Sequence, residues 1–229
     1  MSRELAGHRW PELTDRTLLA IPLGATEQHG PHLPLWTDTA IATELCNRLA
    51  AEHDNLVIGP AIPYGASGEH AAFPGTLSIG HDALRLLLVE LVRSADHFAG
   101  VVVVNGHGGN LPALRSAEEL LHCEGRSVLT WSPTGRADDS HAGHAETSVM
   151  LALHPQHVHF GQASRGNTTA LPDLMPRLRE GGVRAVSANG VLGDPTTATA
   201  GAGQRILRQW TDALTSAVRR WEEPAGDDR

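Results

Sequence analysis

The chain contains no lysine; all 18 of its basic residues are arginine. P-loop phosphate binding needs a lysine ammonium, and Schiff-base or pyridoxal chemistry needs a lysine amine, so both are excluded. Cysteine is scarce as well. Cys46 and Cys123 fall in helix-like segments at no metal-binding spacing, and read as reduced packing residues. No apolar run is long enough to cross a bilayer. The opening stretch MSRELAGHRWPELTDR is charged and has no apolar segment of the secretory kind. No basic run occurs and the net charge is -8, which argues against a nucleic-acid surface. These absences predict a cytoplasmic protein with neither nucleic acid nor membrane as a partner.

What is present suits a folded enzyme. The 229 residues and 41% hydrophobic content predict a single domain over 1–229, with a tail frayed from about 224. Apolar runs alternate with helical patterns. Strands are expected within 16–25, at the start of 55–65, within 100–106 and within 126–133. Helices are expected over 38–53, 81–99, 111–125, 145–155 and from about 203 to 223. GVVVVNG, apolar on both faces, reads as a central parallel strand. The alternation predicts a three-layer α/β/α sandwich on a mainly parallel sheet. In such folds the site lies beyond the carboxyl ends of the strands.

Histidine occurs 14 times, a surplus that invites a search for metal ligands. GATEQHGPHLPLWTD (24–38) carries Glu27, His29 and Asp38 on a segment too broken by proline to be a helix. Carboxylate oxygen with imidazole nitrogen, and no thiolate, suits Zn, Mn or Fe(II). The competing reading makes Asp38 a helix N-cap and leaves Glu27 in solvent. NGHGGN (105–110) surrounds His107 with glycines that permit a tight turn and close backbone approach. SHAGHAETS (140–148) offers His141, His144 and Glu146, although Glu146 could merely complement a helix N-terminus. YGASGEHAAFPGTLS (64–78) carries Glu69 and His70 with no partner at ligand spacing, and reads as a site wall or an interface.

TEQHGPHLP…D, FPGTLS, NGHGGN and HAG…ETS, in that order over roughly residues 18–155, resemble the creatininase family of metal-dependent amidohydrolases. The short length, GNTTALPDL (166–174) and VRAVSANGVLGDPTTA (183–198) are most similar to a branch that trims a ribosomally made cofactor-precursor peptide. The resemblance implies a creatininase-like fold and two divalent metal ions per chain, Zn and/or Fe(II), with Mn also compatible. By motif, Glu27, His29, Asp38 and His107 correspond to the metal ligands, Asp38 bridging, and His141 to an acid/base. Two departures put creatinine in doubt as substrate. Creatinine-hydrolysing members carry a glutamate where this chain has Gly109, and an aromatic residue before the site histidine where this chain has GRADDS.

The missing carboxylate is expected from Glu146, as ligand and catalytic-site residue, with His144 its rival. Glu69 and His70 are expected on the substrate side. A peptidase that cuts near a C-terminus also needs a partner for the terminal carboxylate, and Arg165 is the candidate. The expected activity is release of a C-terminal dipeptide from the modified precursor peptide by a homo-oligomeric metallopeptidase. The alternatives are a small-molecule amidohydrolase acting on a cyclic amide or formamide, and a non-catalytic metal-binding scaffold.

Overall fold

A computed structural model describes residues 3–223; the tail expected to fray from about 224 lies outside the described residues. Two strands carry the fold. β1 (Leu18–Leu23) and β3 (Gly100–Asn105) are buried at every position. Strands with no solvent face belong between two helical layers. They pair in parallel, from Leu18 opposite Gly100 to Leu23 opposite Asn105. β2 (Leu56–Ile58) flanks β1 and β4 (Val128–Trp131) flanks β3, giving the order β2-β1-β3-β4, all parallel.

Alternate side chains of a strand point to opposite faces. Leu19, Ile21, Leu23, Val101 and Val103 pack against Leu84 and Leu88 of α2 (Gly80–Arg93) and Leu114 and Leu121 of α3 (Leu111–Cys123). Leu18, Ala20, Val102 and Val104 pack against α1 (Thr37–Glu52), α4 (His144–Leu153) and α6 (Ala200–Glu222), through Ile41, Leu45, Val149, Leu207 and Leu214. This is the expected three-layer sandwich.

The structure differs from the sequence reading in detail. The sequence reading gives no helix over 171–181, where the structure has α5 (Leu171–Gly181). Pro172 stands in the first turn, where a missing N–H costs little, and Pro176 is accommodated inside. Helix α2 stops at Arg93 and does not reach 99; the Ser94 hydroxyl donates to the Leu91 carbonyl, competing with the helical ladder. Cys46 is buried as expected, but Cys123 is exposed and packs no core. Among the described residues no helix is long and apolar enough to cross a membrane.

Strand order positions the site. The chain leaves β1 toward β2 on one side and leaves β3 toward β4 on the other. The carboxyl ends of β1 and β3 therefore form a switch point, where the diverging loops open a crevice. The 24–36 segment and the turn after Asn105 both start there.

The layer assignment has a mutational consequence. Leu84 is 0% exposed and Leu86 59% exposed on the same helix. Leu84→Ala should cost roughly 2–5 kcal/mol, and Leu86→Ala less than about 0.5. Urea midpoints measure both, and equal losses would mean that α2 presents a different face to the sheet.

Candidate active site

The first acidic ligand candidates enter from the segment between β1 and α1. Asp38 lies in the first turn of α1 and Glu27 on the proline-stiffened approach to it. His107 comes from the end of β3. Gly106 makes that approach possible, because a Cβ there would collide with the carbonyl oxygen of Asp38. Asn105 and Asn110 hold the turn. Asn110 donates to Gly24 O (3.0 Å) and Asn105 Oδ1 (3.0 Å) and accepts from Ala66 N, while Asn105 donates to His107 O (2.8 Å).

Glu27, His29, Asp38 and His107 converge, all less than 5% exposed. His29 Nε2 is 2.9 Å from Asp38 Oδ1, and His107 Nδ1 is 3.5 Å from Asp38 Oδ2 and 3.2 Å from Glu27 Oε1. Asp38 thus turns one oxygen to each imidazole. The outer ring nitrogens have their own acceptors: His29 Nδ1–H donates to Glu27 O (3.1 Å) and His107 Nε2–H to Ala66 O (3.2 Å). Those bonds fix which nitrogen faces inward.

His141 and Glu146 reach the cluster from the start of α4. Glu146 Oε2 lies 3.9 Å from His29 Nε2 and accepts from Ala142 N at 2.6 Å. Ala142 has φ 51°, a left-handed conformation that a non-glycine residue rarely takes. The helix N-terminus is capped from elsewhere, with Asp139 accepting from His144 N (2.6 Å) and Ala145 N (2.9 Å). Glu146 is therefore not needed as the cap. His141 Nε2–H donates to Gln28 O (2.8 Å), which leaves Nδ1 facing Glu27 Oε1 at 3.7 Å. His144, the rival of Glu146, turns away to Thr197 Oγ1 (3.1 Å).

The remaining candidates separate. His70 is 3% exposed, with Nε2 3.4 Å from Glu27 Oε1, inside the cluster and not on an open wall. Its Nδ1 meets the amide nitrogen of Gln28 at 2.9 Å. That amide also donates to Gly190 O (3.0 Å), so Gln28 ties His70 to the 187–193 loop. Glu69 Oε1 lies 3.6 Å from His107 Nε2. It fills the space above Gly109, where a Cβ would collide with it. Arg165 is exposed, its guanidinium near Thr168 and Asp194 and not in the cluster. His32 is buried on Thr147 Oγ1 (2.8 Å), an anchor for α4. Sequence reasoning missed Gln28, Asn105, Asn110 and Asp139; the only signal for them was their place inside motifs already singled out.

The donor set fits a divalent metal. Glu27 Oε1 and Oε2 and Asp38 Oδ2 are buried with no hydrogen-bond partner among the described residues. Glu27, Asp38 and His107 offer one converging donor set, and His29, Asp38 and Glu146 another; Glu27, His29 and His141 also converge. In the metal-free protein, protons take the place of the cation. Burial opposes charge on both imidazoles, but Asp38 beside His29 and Glu27 beside His107 raise each to about 10. Burial likewise disfavours the charged form of Glu27, yet charged His107 beside it holds it well below the carboxylate range. Burial raises Asp38, against the pull of His29, and pushes Glu146 up to about 7. Burial, with charged His29 nearby, holds His141 well below the usual histidine range, so it is neutral.

These directions predict how the metal-free protein responds to pH. The folded value of about 10 for His29 and His107 stands above the ordinary 6.5. Their stabilisation is complete below the unfolded value and is lost as pH rises through the folded one. Metal-free protein should lose thermal stability progressively from pH 6.5 to about 10, while metal-loaded protein should not. Parallel melting curves across that range would contradict the imidazolium pairing. At Gly109 a Cβ would meet Glu69 Oε1, Ala66 O and His107 Nε2 together; substitution by alanine should therefore shift His107 and weaken metal retention, read by metal analysis, with circular dichroism to show whether the backbone shift also disturbs the fold.

Known proteins resemble the chain over nearly its whole length. The family model described as creatininase, creatinine amidohydrolase, matches residues 6–218. The mycofactocin precursor peptide peptidase of Mycobacterium ulcerans is 51% identical over 222 residues, 93% of this chain and 86% of that protein. The creatinine amidohydrolase of Pseudomonas putida is 29% identical, covering 88% of each chain. A solved creatininase variant described as Zn-Zn type superposes with a TM-score of 0.79 at 26% identity, over 98% of this chain and 100% of that one. A family match of this extent, on a fold and a buried carboxylate–imidazole cluster that suit it, shows that the chain belongs to the creatininase family of metal-dependent amidohydrolases.

Proposed function

We propose that this hydrolase cleaves a mycofactocin precursor peptide near its C-terminus, releasing a dipeptide. The single observation that carries the chemistry is Asp38, with one oxygen toward His29 and the other toward His107. That is the arrangement a bridging carboxylate needs. Glu27, Asp38 and His107 would hold one ion, and His29, Asp38 and Glu146 a second. Carboxylate and imidazole donors are compatible with Zn, Fe(II) or Mn. Divalent ions there supply a Lewis acid for the scissile carbonyl and an activated water at neutral pH.

The chain's own residues supply the rest. His141 is neutral and its Nδ1 lone pair faces the cluster, so it can take a proton during attack and return it to the leaving nitrogen. The Gln28 carbonyl holds its ring by accepting from Nε2–H. Glu69 and Ala66 O keep His107 oriented from behind.

The peptide reading is supported by the high identity to a mycobacterial precursor-peptide peptidase over nearly the full length. Creatinine as substrate is disfavoured by Gly109 and by the stretch GRADDS (135–140), where the resemblance places a carboxylate and an aromatic lid. By the same resemblance the enzyme is expected to work as a homo-oligomer.

Variants at α4 test the assignments. Glu146→Gln should lose about one metal equivalent per chain and nearly all activity, since a zinc site usually keeps three protein ligands. Retention of both metals and most of the rate would leave Glu146 outside the ligand set. His141→Ala should keep both metals and lower turnover on the precursor peptide by ~10²–10⁴-fold, the usual contribution of a general acid–base. Metal loss in that variant would make His141 a ligand instead. Incubation with the modified peptide, with creatinine and with a formamidopyrimidine, followed by mass spectrometry, decides the substrate; turnover of creatinine alone would sink the peptidase reading.

A further inference from the structure

The imidazoles of His29, His70, His107 and His141 face the buried carboxylates, and their outward nitrogens are not bonded alike. In three of them the outward nitrogen donates to a backbone carbonyl: His29 Nδ1–H to Glu27 O, His107 Nε2–H to Ala66 O and His141 Nε2–H to Gln28 O. A carbonyl only accepts, so each of these rings keeps a lone pair on its inner nitrogen. His70 is the exception. Its outward nitrogen, Nδ1, lies 2.9 Å from the side-chain amide nitrogen of Gln28.

The orientation of that amide follows from its other contacts. Gln28 Oε1 accepts from Gly30 N–H at 2.9 Å, and Nε2 donates to Gly190 O at 3.0 Å. Turning the amide over would set nitrogen against the Gly30 N–H and oxygen against the Gly190 carbonyl, and both bonds would be lost. The second amide hydrogen goes to His70 Nδ1. His141 Nε2, 3.1 Å away, cannot take it, because it carries the hydrogen given to Gln28 O. Accepting at Nδ1 leaves the His70 ring with its hydrogen on Nε2. That nitrogen faces Glu27 Oε1 at 3.4 Å, an oxygen with no hydrogen-bond partner among the described residues. A nitrogen bearing hydrogen has no lone pair for a cation, so His70 is a donor in the site and not a ligand.

The donor stands beside the base. The rings of His70 and His141 are 4.4 Å apart between centroids, and His141 Nδ1 faces the same Glu27 oxygen at 3.7 Å. Gln28 also lines a cavity of about 350 Å³ with Pro31, Leu35, Phe73, Pro74 and Arg184, so a substrate seated there lies one side chain from both rings. Amide hydrolysis needs both functions at one place. As the water oxygen bonds to the carbonyl carbon, the C=O π pair moves onto the carbonyl oxygen and the water loses a proton. His141 takes that proton and gives it to the nitrogen as the C–N bond breaks and the oxygen's pair re-forms C=O. While the oxygen carries the charge, a fixed N–H aimed at it lowers the barrier.

We infer that His70 is a further catalytic residue, whose Nε2–H donates to the scissile carbonyl oxygen as charge develops there, and that Gln28 is the positioning residue that fixes its tautomer. The inference rests on the hydrolytic reading of the cluster and holds for whichever amide is cut.

The test uses zinc-loaded full-length protein with nitrogen-15 in its histidines. The solid-state nitrogen spectrum, with the His70 signals identified by their loss in His70→Gln, should show hydrogen on Nε2 and none on Nδ1; the reverse overturns the inference. Kinetics use whichever of the modified peptide, creatinine and a formamidopyrimidine the wild type hydrolyses. His70→Ala should keep the wild-type metal content and KM while kcat falls by ~10²–10³-fold, the usual loss for one oxyanion donor. His70→Gln, whose amide presents an N–H near the place of Nε2–H, should recover part of that loss, and it carries the test if alanine collapses the buried site. Loss of metal in a folded His70 variant would make the residue a support for Glu27 and overturns the inference, as would an unchanged kcat or a rise in KM alone. Turnover of another amide but not of the peptide sinks the peptidase reading and leaves this comparison intact; turnover of none of the three overturns both.

Discussion

Two carboxylates, Glu27 and Asp38, stand 0% and 1% exposed in the interior, and three of their four oxygens lack a hydrogen-bond partner among the described residues. Removing an ion from water costs several kcal/mol, and attraction inside the protein repays that only if positive charge is close. The surrounding architecture answers this demand. His29 and His107, each with its pKa raised to about 10, place a ring nitrogen 2.9 Å from Asp38 and 3.2 Å from Glu27 respectively. Protons satisfy the cluster when no metal is bound and divalent cations can replace them, so the same geometry accounts for both the folding electrostatics and the hydrolytic chemistry.

The sheet makes this concentration of charge possible. Because β1 and β3 are neighbours whose chains depart in opposite directions, their carboxyl ends leave a crevice that no crossover covers. Backbone from both strands enters it at close range. Gly106 lets the end of β3 touch the first turn of α1, and the Asn105–Asn110 pair bonds the two loops together. The prolines of the 24–38 segment pre-set its course, so little ordering entropy remains to be lost when ligands gather around a cation.

Specificity resides in the walls. The absence of a side chain at Gly109 opens a space that Glu69 fills from the 68–70 turn, behind His107. The apolar side comes from two other stretches, Pro31 with Leu35 and Phe73 with Pro74, and its arginine, Arg184, from a third that is bonded to Gln28 through Gly190. The charged centre can thus stay fixed while the surrounding loops select among amides, because the loops are attached to the sheet edge and do not build the core.

The sequence by itself determined the layers and most of the cluster. Unbroken apolar runs mark β1 and β3, and helical periodicity marks α1, α2, α3 and α6, because burial selects side-chain type position by position. Glu27, His29, Asp38 and His107 were legible as a cluster because each lies in a short motif that offers a carboxylate or imidazole donor. Helix α5 was not read from the sequence; Leu174 packs it against Val183 and Leu192, distant partners that no local pattern announces. Partners far apart in the chain were settled only by the tertiary structure. His70 and Glu27 are separated by 43 positions yet stand 3.4 Å apart, and Gln28 meets Gly190 across 162 positions. No local pattern encodes such a contact. It follows from strand order and from where each loop lands, which is a property of the whole packed chain.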